Sequence, residues 1–250
     1  MKAIAIIPAR GGSKRIPKKN IKDFNGVPVI SYPIKIAIET KAFDKVIVST
    51  DCKNIAAISK RYGAEIPFFR SKKNSDDFAS TDDVIKEVLE YYNSTGEVYD
   101  YACCIYPVNP FIEVDKVKLG LRELLDKNFD CVFSAVKYSY PIQRAFRIDK
   151  SKKIKMIDPE NYLVRSQDLE NTFHDAGQFY WFKVSSFNKH NKLWTNNTGI
   201  IELSESDVQD IDTETDWNIA EIKFQIQKKL NAWQIISIFK SLNKFNQICF

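Results

Sequence analysis

The chain reads as an α/β protein built on a doubly wound, mostly parallel sheet. Strand-like and helix-like patterns alternate from residue 3 to about residue 136. The strand-like runs, Ala3-Ile4-Ala5-Ile6-Ile7 first among them, are continuously apolar, as strands buried on both faces are. A glycine-containing, cation-rich loop, Ala9 to Asn20, leaves that first strand at its carboxyl end, where open α/β sheets place their ligands.

The elements follow in order. Gly26-Val27-Pro28 opens a helix-like stretch through Glu39, with Pro28 suited to its first position and Pro33 predicting a kink. Lys45 to Asp51 is a second strand, and Asp51 is placed to cap a helix over Lys53–Tyr62, which Gly63 ends. Ala64 to Arg70 reads as a third strand. Ser80-Thr81-Asp82-Asp83 ahead of Val84, Ile85, Val88 and Leu89 marks a helix start. A strand over Tyr101–Tyr106, a helix over Val114–Lys127 and a strand over Cys131–Val136 complete the alternation.

From Lys137 to Thr172 the pattern fails, and short apolar pairs between prolines and cations cannot build a core of their own. Strands return at Gln178–Phe182 and Gly199–Leu203, and a helix is expected from Glu214 to Leu230. The remaining stretch, with Trp233, Ile235, Ile236, Ile238, Phe239 and Leu242, is apolar at helical spacing. The expected organisation is a main domain from 1–136 and 173–230, an insertion over 137–172 and a helical tail over 231–250.

The chain has 250 residues and a net charge of +5, with the cations crowded into the first 75 positions. Local positive excess suits a small anionic ligand. No RNA-recognition, helix-turn-helix or zinc-finger signature is present, so nucleic acid is not the expected partner. The five cysteines show no C-x-x-C spacing, which points to reduced thiols. Neither a secretory pattern nor a run of 18 apolar residues occurs, so the expectation is a cytoplasmic protein without membrane contact.

Two stretches carry the chemistry. In the loop ARGGSKRIPKKN, over 9–20, paired glycines permit a sharp turn and a close approach of backbone N–H groups to an anion. Arg10, Lys14, Arg15, Lys18 and Lys19 supply the opposite charge to a polyphosphate. The spacing matches neither G-x-G-x-x-G nor G-x-x-x-x-G-K-[ST], which disfavours a hydride-transfer enzyme. The second stretch is DIDTETD over 210–216. In an extended segment Asp210 and Asp212 point to one side, roughly 6.5 Å apart at Cα. Such a couple either holds Mg²⁺ together with substrate phosphates or serves helix capping through Asp212 or Thr213.

These stretches, with VIVSTD over 46–51, Arg70 and Ala79-Ser80-Thr81, resemble the cytidylyltransferases that activate sialic-acid-like sugars, over nearly the whole chain except its last twenty residues. PIQRAF over 141–146 and RSQDLE…HDAGQFYW over 165–181 most resemble the branch of that family acting on pseudaminic acid. The resemblance implies a Rossmann-like nucleotidyltransferase with an inserted dimerisation subdomain over 137–172 that reaches a partner's active site. It implies CTP as co-substrate, held by Ala9, Arg10, Gly11, Gly12, Ser13, Lys19 and Asn20 on the triphosphate and ribose. Arg70, Ala79 and Thr81 would hold the cytidine, with Tyr106 and Asn109 in the same site. Those two replace the glutamine and serine common in sialic-acid members, which argues against an ordinary sialic acid. Asp210 and Asp212 would bind Mg²⁺ and, with Arg10 and Lys19, act in catalysis. Arg165, Gln167, His174, Gln178 and Tyr180 are candidates for a nine-carbon keto sugar acid. Simpler readings stand beside these: Arg165 as a surface cation, His174 as a structural hydrogen bonder, Tyr106 as strand core, and one of Tyr180 and Trp181 facing the core by alternation. Synthases of CMP-N-acetylneuraminate or CMP-legionaminate are alternatives of identical chemistry. A nucleotide-sensing protein without turnover is the non-enzymatic one.

Overall fold

A computed structural model describes the backbone of residues 1–246 and the side chains through residue 230. In chain order the elements are β1 (Ala3–Pro8), β2 (Asp23–Phe24), β3 (Val27–Pro28), α1 (Ser31–Thr40), β4 (Lys45–Ser49), α2 (Lys53–Arg61), α3 (Thr81–Ser94) and β5 (Tyr101–Ile105). There follow α4 (Val114–Asp126), β6 (Cys131–Lys137), β7 (Phe146–Ile148), β8 (Ile154–Met156), β9 (Phe173–Lys183), α5 (Val184–His190), β10 (Thr198–Leu203) and α6 (Glu214–Asn246).

Six strands form one sheet in the order β10-β6-β9-β5-β1-β4. The pairs β1–β4, β1–β5 and β6–β10 are parallel, whereas β9 runs antiparallel to both β5 and β6. Continuous apolar runs are explained by cover on both faces. Ala3, Ala5 and Ile7 of β1 pack with Ile34, Ala37 and Val48 on one side. Ile4 and Ile6 pack with Ile85, Val88 and Tyr92 of α3 on the other. Each such fully buried large side chain contributes about 1.5–3 kcal/mol.

Several expectations are corrected. The helix expected from Pro28 begins only at Ser31, because Asn25 (φ 50°) and Gly26 (φ +89°) make a tight turn joining β2 to β3. Pro33 then falls in the first turn of α1, where no N–H is needed, and the expected kink has no cause. Ala64–Arg70 is not a strand: it meets β4 and the residue after it through two isolated bridges, Ile47 to Glu65 and Thr50 to Phe69, with Pro67 supplying no donor between them. Asp51 does not cap α2, whose N-cap is Cys52 without a side-chain bond. The Ser80 start of α3 is a full capping box with Asp83.

The insertion leaves the end of β6 and returns as β9. It carries the β7–β8 hairpin and many exposed apolar side chains, Tyr140 and Leu163 among them at 85% and 86% exposure. The expected tail over 231–250 continues α6 through Asn246, while its side chains and residues 247–250 lie outside the described residues. Among the described residues no helix is long and apolar enough to cross a membrane.

Candidate active site

The chain leaves β1 for β4 on one side and later places β5 on the other, so the strand order reverses at β1. Crevices at such reversals, outside the carboxyl ends of the strands, are where open α/β sheets bind ligands. A cleft of about 1050 Å³ opens there.

The glycine loop is fixed from several directions. Ala9 N–H donates to Ser49 C=O at 2.9 Å, continuing the β1–β4 pairing past Pro8. The Asn20 amide donates to Arg10 C=O at 2.8 Å. Gly11 N–H donates to Asp51 Oδ1 at 2.7 Å, so the carboxylate expected to cap α2 instead anchors the turn. A Cβ on Gly11 would stand 2.9 Å from Cys52 Cβ, whereas Gly12 has open space around it. Gly11→Ala is therefore expected to cost about 1–3 kcal/mol and to weaken CTP binding, while Gly12→Ala leaves stability near wild type. Thermal unfolding and CTP titration of the two variants check this.

A third apolar cluster explains why the two ends of the chain meet. Ile16, directly after the basic residues, packs with Phe24, Phe111, Ile211, Trp217 and Ala220. Ile211 is 2% exposed and lies between Asp210 and Asp212, so burying it turns both carboxylates toward the cleft, which both line. Of the two residues expected to cap α6, Thr213 does so and Asp212 does not: Asp216 N–H donates to Thr213 Oγ1 at 3.2 Å, and the Asp216 carboxylate accepts Thr213 N–H at 2.8 Å. Lys223 of α6 braces the segment leading into Asp210 by donating to the carbonyls of Glu205 and Val208, and burial lowers its pKa.

Charge links the walls. Asp212 accepts from Arg15 at 2.8 Å and from Lys19 at 3.3 Å. Among the described residues the Asp210 carboxylate accepts no hydrogen bond, although the Asp210 carbonyl accepts from Gln209. Asp77, which the sequence reading passed over, bridges Arg10 (2.6 Å) and Lys14. Arg10 also donates to Asp76 C=O at 2.9 Å, and the Asp76 carboxylate turns the chain by accepting Phe78 and Ala79 N–H. Lys14 and Arg10 hold the Asp77 carboxyl below its ordinary range. A triphosphate must compete with this carboxylate for both cations. Asp77→Asn is expected to lower the CTP Kd by about two- to fivefold at low salt, with the gain fading as salt is raised. Calorimetric titration at two ionic strengths measures it.

At the other end of the cleft, Arg70 is 7% exposed and donates from Nε to Ser49 Oγ at 3.0 Å and from NH2 to Ser49 C=O. Burial pulls its pKa down to about 10 against the pull of Asp51 and Glu87, so it remains cationic at neutral pH. No carboxylate of the described residues forms an ion pair with it, and it lines the cleft with Ala79 and Thr81. Thr81 Oγ1 and Tyr106 Oη are 3.0 Å apart, and the Tyr106 ring leans on Tyr180 with centroids 5.3 Å apart. Burial raises both tyrosine pKa values. His174 also lines the cleft, its Nδ1 3.0 Å from Asp175 C=O and its ring against Tyr138.

Arg10, Ser13, Lys19, Asn20, Arg70, Ala79, Thr81, Tyr106, His174, Tyr180, Asp210 and Asp212 thus share one cleft. The other candidates sit elsewhere. Ala9 is fully buried, while Gly11 is half-buried and Gly12 exposed, and none of the three lines the cleft. Asn109 is buried beneath it and donates to Gln178 C=O at 3.3 Å. Gln178 is buried and donates to Asp207 C=O at 2.8 Å. Arg165 and Gln167 lie exposed on the insertion, Arg165 forming a bidentate pair with Asp168. The reading missed Asp77, Asp175 and Lys223 as cleft residues. Nothing in local patterning separates such residues from ordinary surface charge.

The donor set fits magnesium. Two carboxylates on one wall, one of them uncommitted, are what Mg²⁺ takes from protein when phosphates and waters supply the rest. Among the described residues no group of three or more His, Cys, Asp or Glu forms an all-protein metal site.

The sequence profile of one protein family, described as cytidylyltransferase, matches residues 4–248. The pseudaminic acid cytidylyltransferase of Campylobacter jejuni serotype O:2 is 38% identical over 90% of this chain and 97% of its own. The CMP-N,N'-diacetyllegionaminic acid synthase of Legionella pneumophila is 27% identical over 92% of this chain and 99% of its own. Among solved structures, a CMP:2-keto-3-deoxy-manno-octonic acid synthetase complexed with CTP superposes with a TM-score of 0.67. It shares 17% identity over 92% of this chain and 100% of that one, a likeness of fold.

Proposed function

Because this chain belongs to the cytidylyltransferase family, we propose that it couples CTP to pseudaminic acid, yielding the CMP-sugar and pyrophosphate. The observation that carries the reading is the meeting of the cationic glycine loop and the Asp210–Asp212 couple across one cleft, tied by Arg15 and Lys19 to Asp212. The anomeric hydroxyl of the sugar attacks the α-phosphorus in line, and the bond to the β-phosphate oxygen breaks. Such transfer depends on positioning and charge stabilisation rather than covalent chemistry. Arg10 and Lys19 neutralise the departing pyrophosphate. The loop amides that Asp51 leaves free, with Ser13 and Asn20, hold the phosphates and ribose. Arg70, Ala79 and Thr81 hold the base, the guanidinium supplying donors to its carbonyl. Asp210 and Asp212 hold Mg²⁺, which when bound screens the phosphate charge.

The insertion over 137–172 is read as the contact between two copies, because Tyr140, Ile148, Ile154, Tyr162 and Leu163 stand exposed on it. In that arrangement Arg165 and Gln167 reach the partner's sugar, while His174 and Tyr180 serve from the chain's own wall and Gln178, buried on Asp207 C=O, supports that wall from behind. Free, buried Cys103, Cys104 and Cys131 support a cytoplasmic location.

The deciding experiment supplies CTP and Mg²⁺ with a panel of nonulosonic acids and identifies products by mass. CMP-pseudaminic acid with stoichiometric pyrophosphate is expected. Preference for N-acetylneuraminic or legionaminic acid reassigns the sugar, and no turnover with any of them overturns the reading.

A further inference from the structure

β9 carries a defect beside the cleft. Ala135 pairs with Asp175 and Phe133 with Tyr180, so five steps of β9 oppose two of β6. Bulges of this kind re-aim side chains. Gly177 takes φ +62° within it, a conformation L side chains rarely adopt. The freed backbone groups are satisfied: Ser134 Oγ accepts Gln178 N–H at 3.2 Å and Phe179 N–H at 3.3 Å, and Gln178 C=O accepts Tyr106 N–H at 3.0 Å. The bulge is therefore a built feature of the cleft wall.

What it holds is the Asp175 carboxylate. Oδ1 accepts Gly177 N–H at 2.8 Å and Oδ2 accepts the Tyr180 hydroxyl at 2.5 Å. Among the described residues no cation pairs with it, unlike Asp77 and Asp212 on the same cleft. The Tyr180 ring beneath is locked between Phe133 and Tyr106. With its hydroxyl proton committed to Asp175, Tyr180 has only acceptor capacity left for a ligand. An anionic, oriented carboxylate with spare lone pairs faces the cleft.

We propose that Asp175 is a specificity-determining residue of the sugar subsite, accepting hydrogen bonds from hydroxyl or amide N–H groups of the sugar acid. This rests on the proposed function and deepens it. The same charge repels the carboxylate of the sugar, so the acid group turns away from β9 and the donor-bearing end turns toward it. Gly177 and Tyr180 are positioning groups that act through Asp175.

The test is steady-state kinetics of Asp175→Asn and Tyr180→Phe with CTP and pseudaminic acid, wild type alongside. Hydrogen bonds to a charged acceptor contribute enough for a roughly tenfold change in affinity. Asp175→Asn is expected to raise the sugar KM about tenfold, with the CTP KM within twofold of wild type and kcat little changed. Tyr180→Phe should raise the sugar KM in the same direction by less. A collapse of kcat at unchanged sugar KM would make Asp175 a proton acceptor instead and overturns the assignment. So does an unchanged sugar KM, or an effect from Tyr180→Phe alone. Wild type without turnover identifies failure of the parent reading, whereas an active wild type with an indifferent Asp175→Asn identifies failure of this one.

Discussion

Asp212→Asn is expected to lower kcat by a factor of about 10² or more, the scale on which one preorganised charge stabiliser is lost. The substitution keeps the side chain's size and removes its charge, so Ile211 and the cap made by Thr213 and Asp216 stay in place. Two causes must be separated, because Asp212 also pairs with Arg15 and Lys19. Half-exposed pairs of this kind are worth about 0.2–1 kcal/mol each, too little to account for a hundredfold loss through instability. If the carboxylate is a magnesium ligand, the Mg²⁺ concentration for half-maximal rate rises along with the fall in kcat. If it is only a counter-ion, the melting temperature drops slightly and the magnesium dependence is unmoved. Asp210→Asn is the companion. Its carboxylate accepts no hydrogen bond from the described residues, so a loss of rate there has no broken ion pair to blame. Near-normal turnover in both variants removes the metal role from this turn.

The parts of the fold legible in the sequence are those where one local rule decides. Apolar runs marked β1, β4, β5 and β6, and Ser80 with Asp83 marked the start of α3. Gly63, at φ +97°, ends α2 as expected. Where two local rules compete, the pattern in the sequence points to the wrong element. Asn25-Gly26 is a strong hairpin signal, but the β2–β3 strands are two residues each and the apolar periodicity beyond them suggested a longer helix. Extended character in Ala64–Arg70 was visible. What it could not show is that Pro67 breaks the ladder. Asp51 looked like a cap because caps are local, whereas its partner Gly11 is forty residues away in sequence. Two-turn α5 buries only Val184 and Phe187 and left no pattern to find.

The site shows the same division. The loop cations and the Asp210–Asp212 couple declare themselves by density of charge near glycine or in alternation. Asp77 acquires meaning only from its distant partners Arg10 and Lys14, whereas the partners of Asp175, Gly177 and Tyr180, are close in sequence and are brought round to it only by the bulge in β9. The apolar residues Ile16, Ile211 and Trp217 bring the two declared stretches together, and they look like any other core positions until the cluster is seen.

Arg10→Ala is expected to lower kcat/KM for CTP by about 10². Arg10 lines the cleft, and its NH1 is committed to Asp76 C=O and Asp77. Among the described residues its Nε and NH2 make no hydrogen bond, which leaves one edge of the guanidinium for phosphate oxygens. Losing that edge removes charge-assisted bonds to bound CTP and, more heavily, to the pyrophosphate as its charge builds. The sign is opposite to that of Asp77→Asn, and the two residues touch, so their effects should not add. In the Arg10→Ala background Asp77 has only Lys14 to hold, and Asp77→Asn should then improve CTP binding by less than it does alone. A full, undiminished gain in the double variant would mean that Asp77 opposes the nucleotide without acting through Arg10. An Arg10→Ala enzyme with wild-type kcat/KM would mean that the glycine loop does not grip the triphosphate. Either result can be read at constant fold, because a half-exposed arginine at a loop carries little of the core.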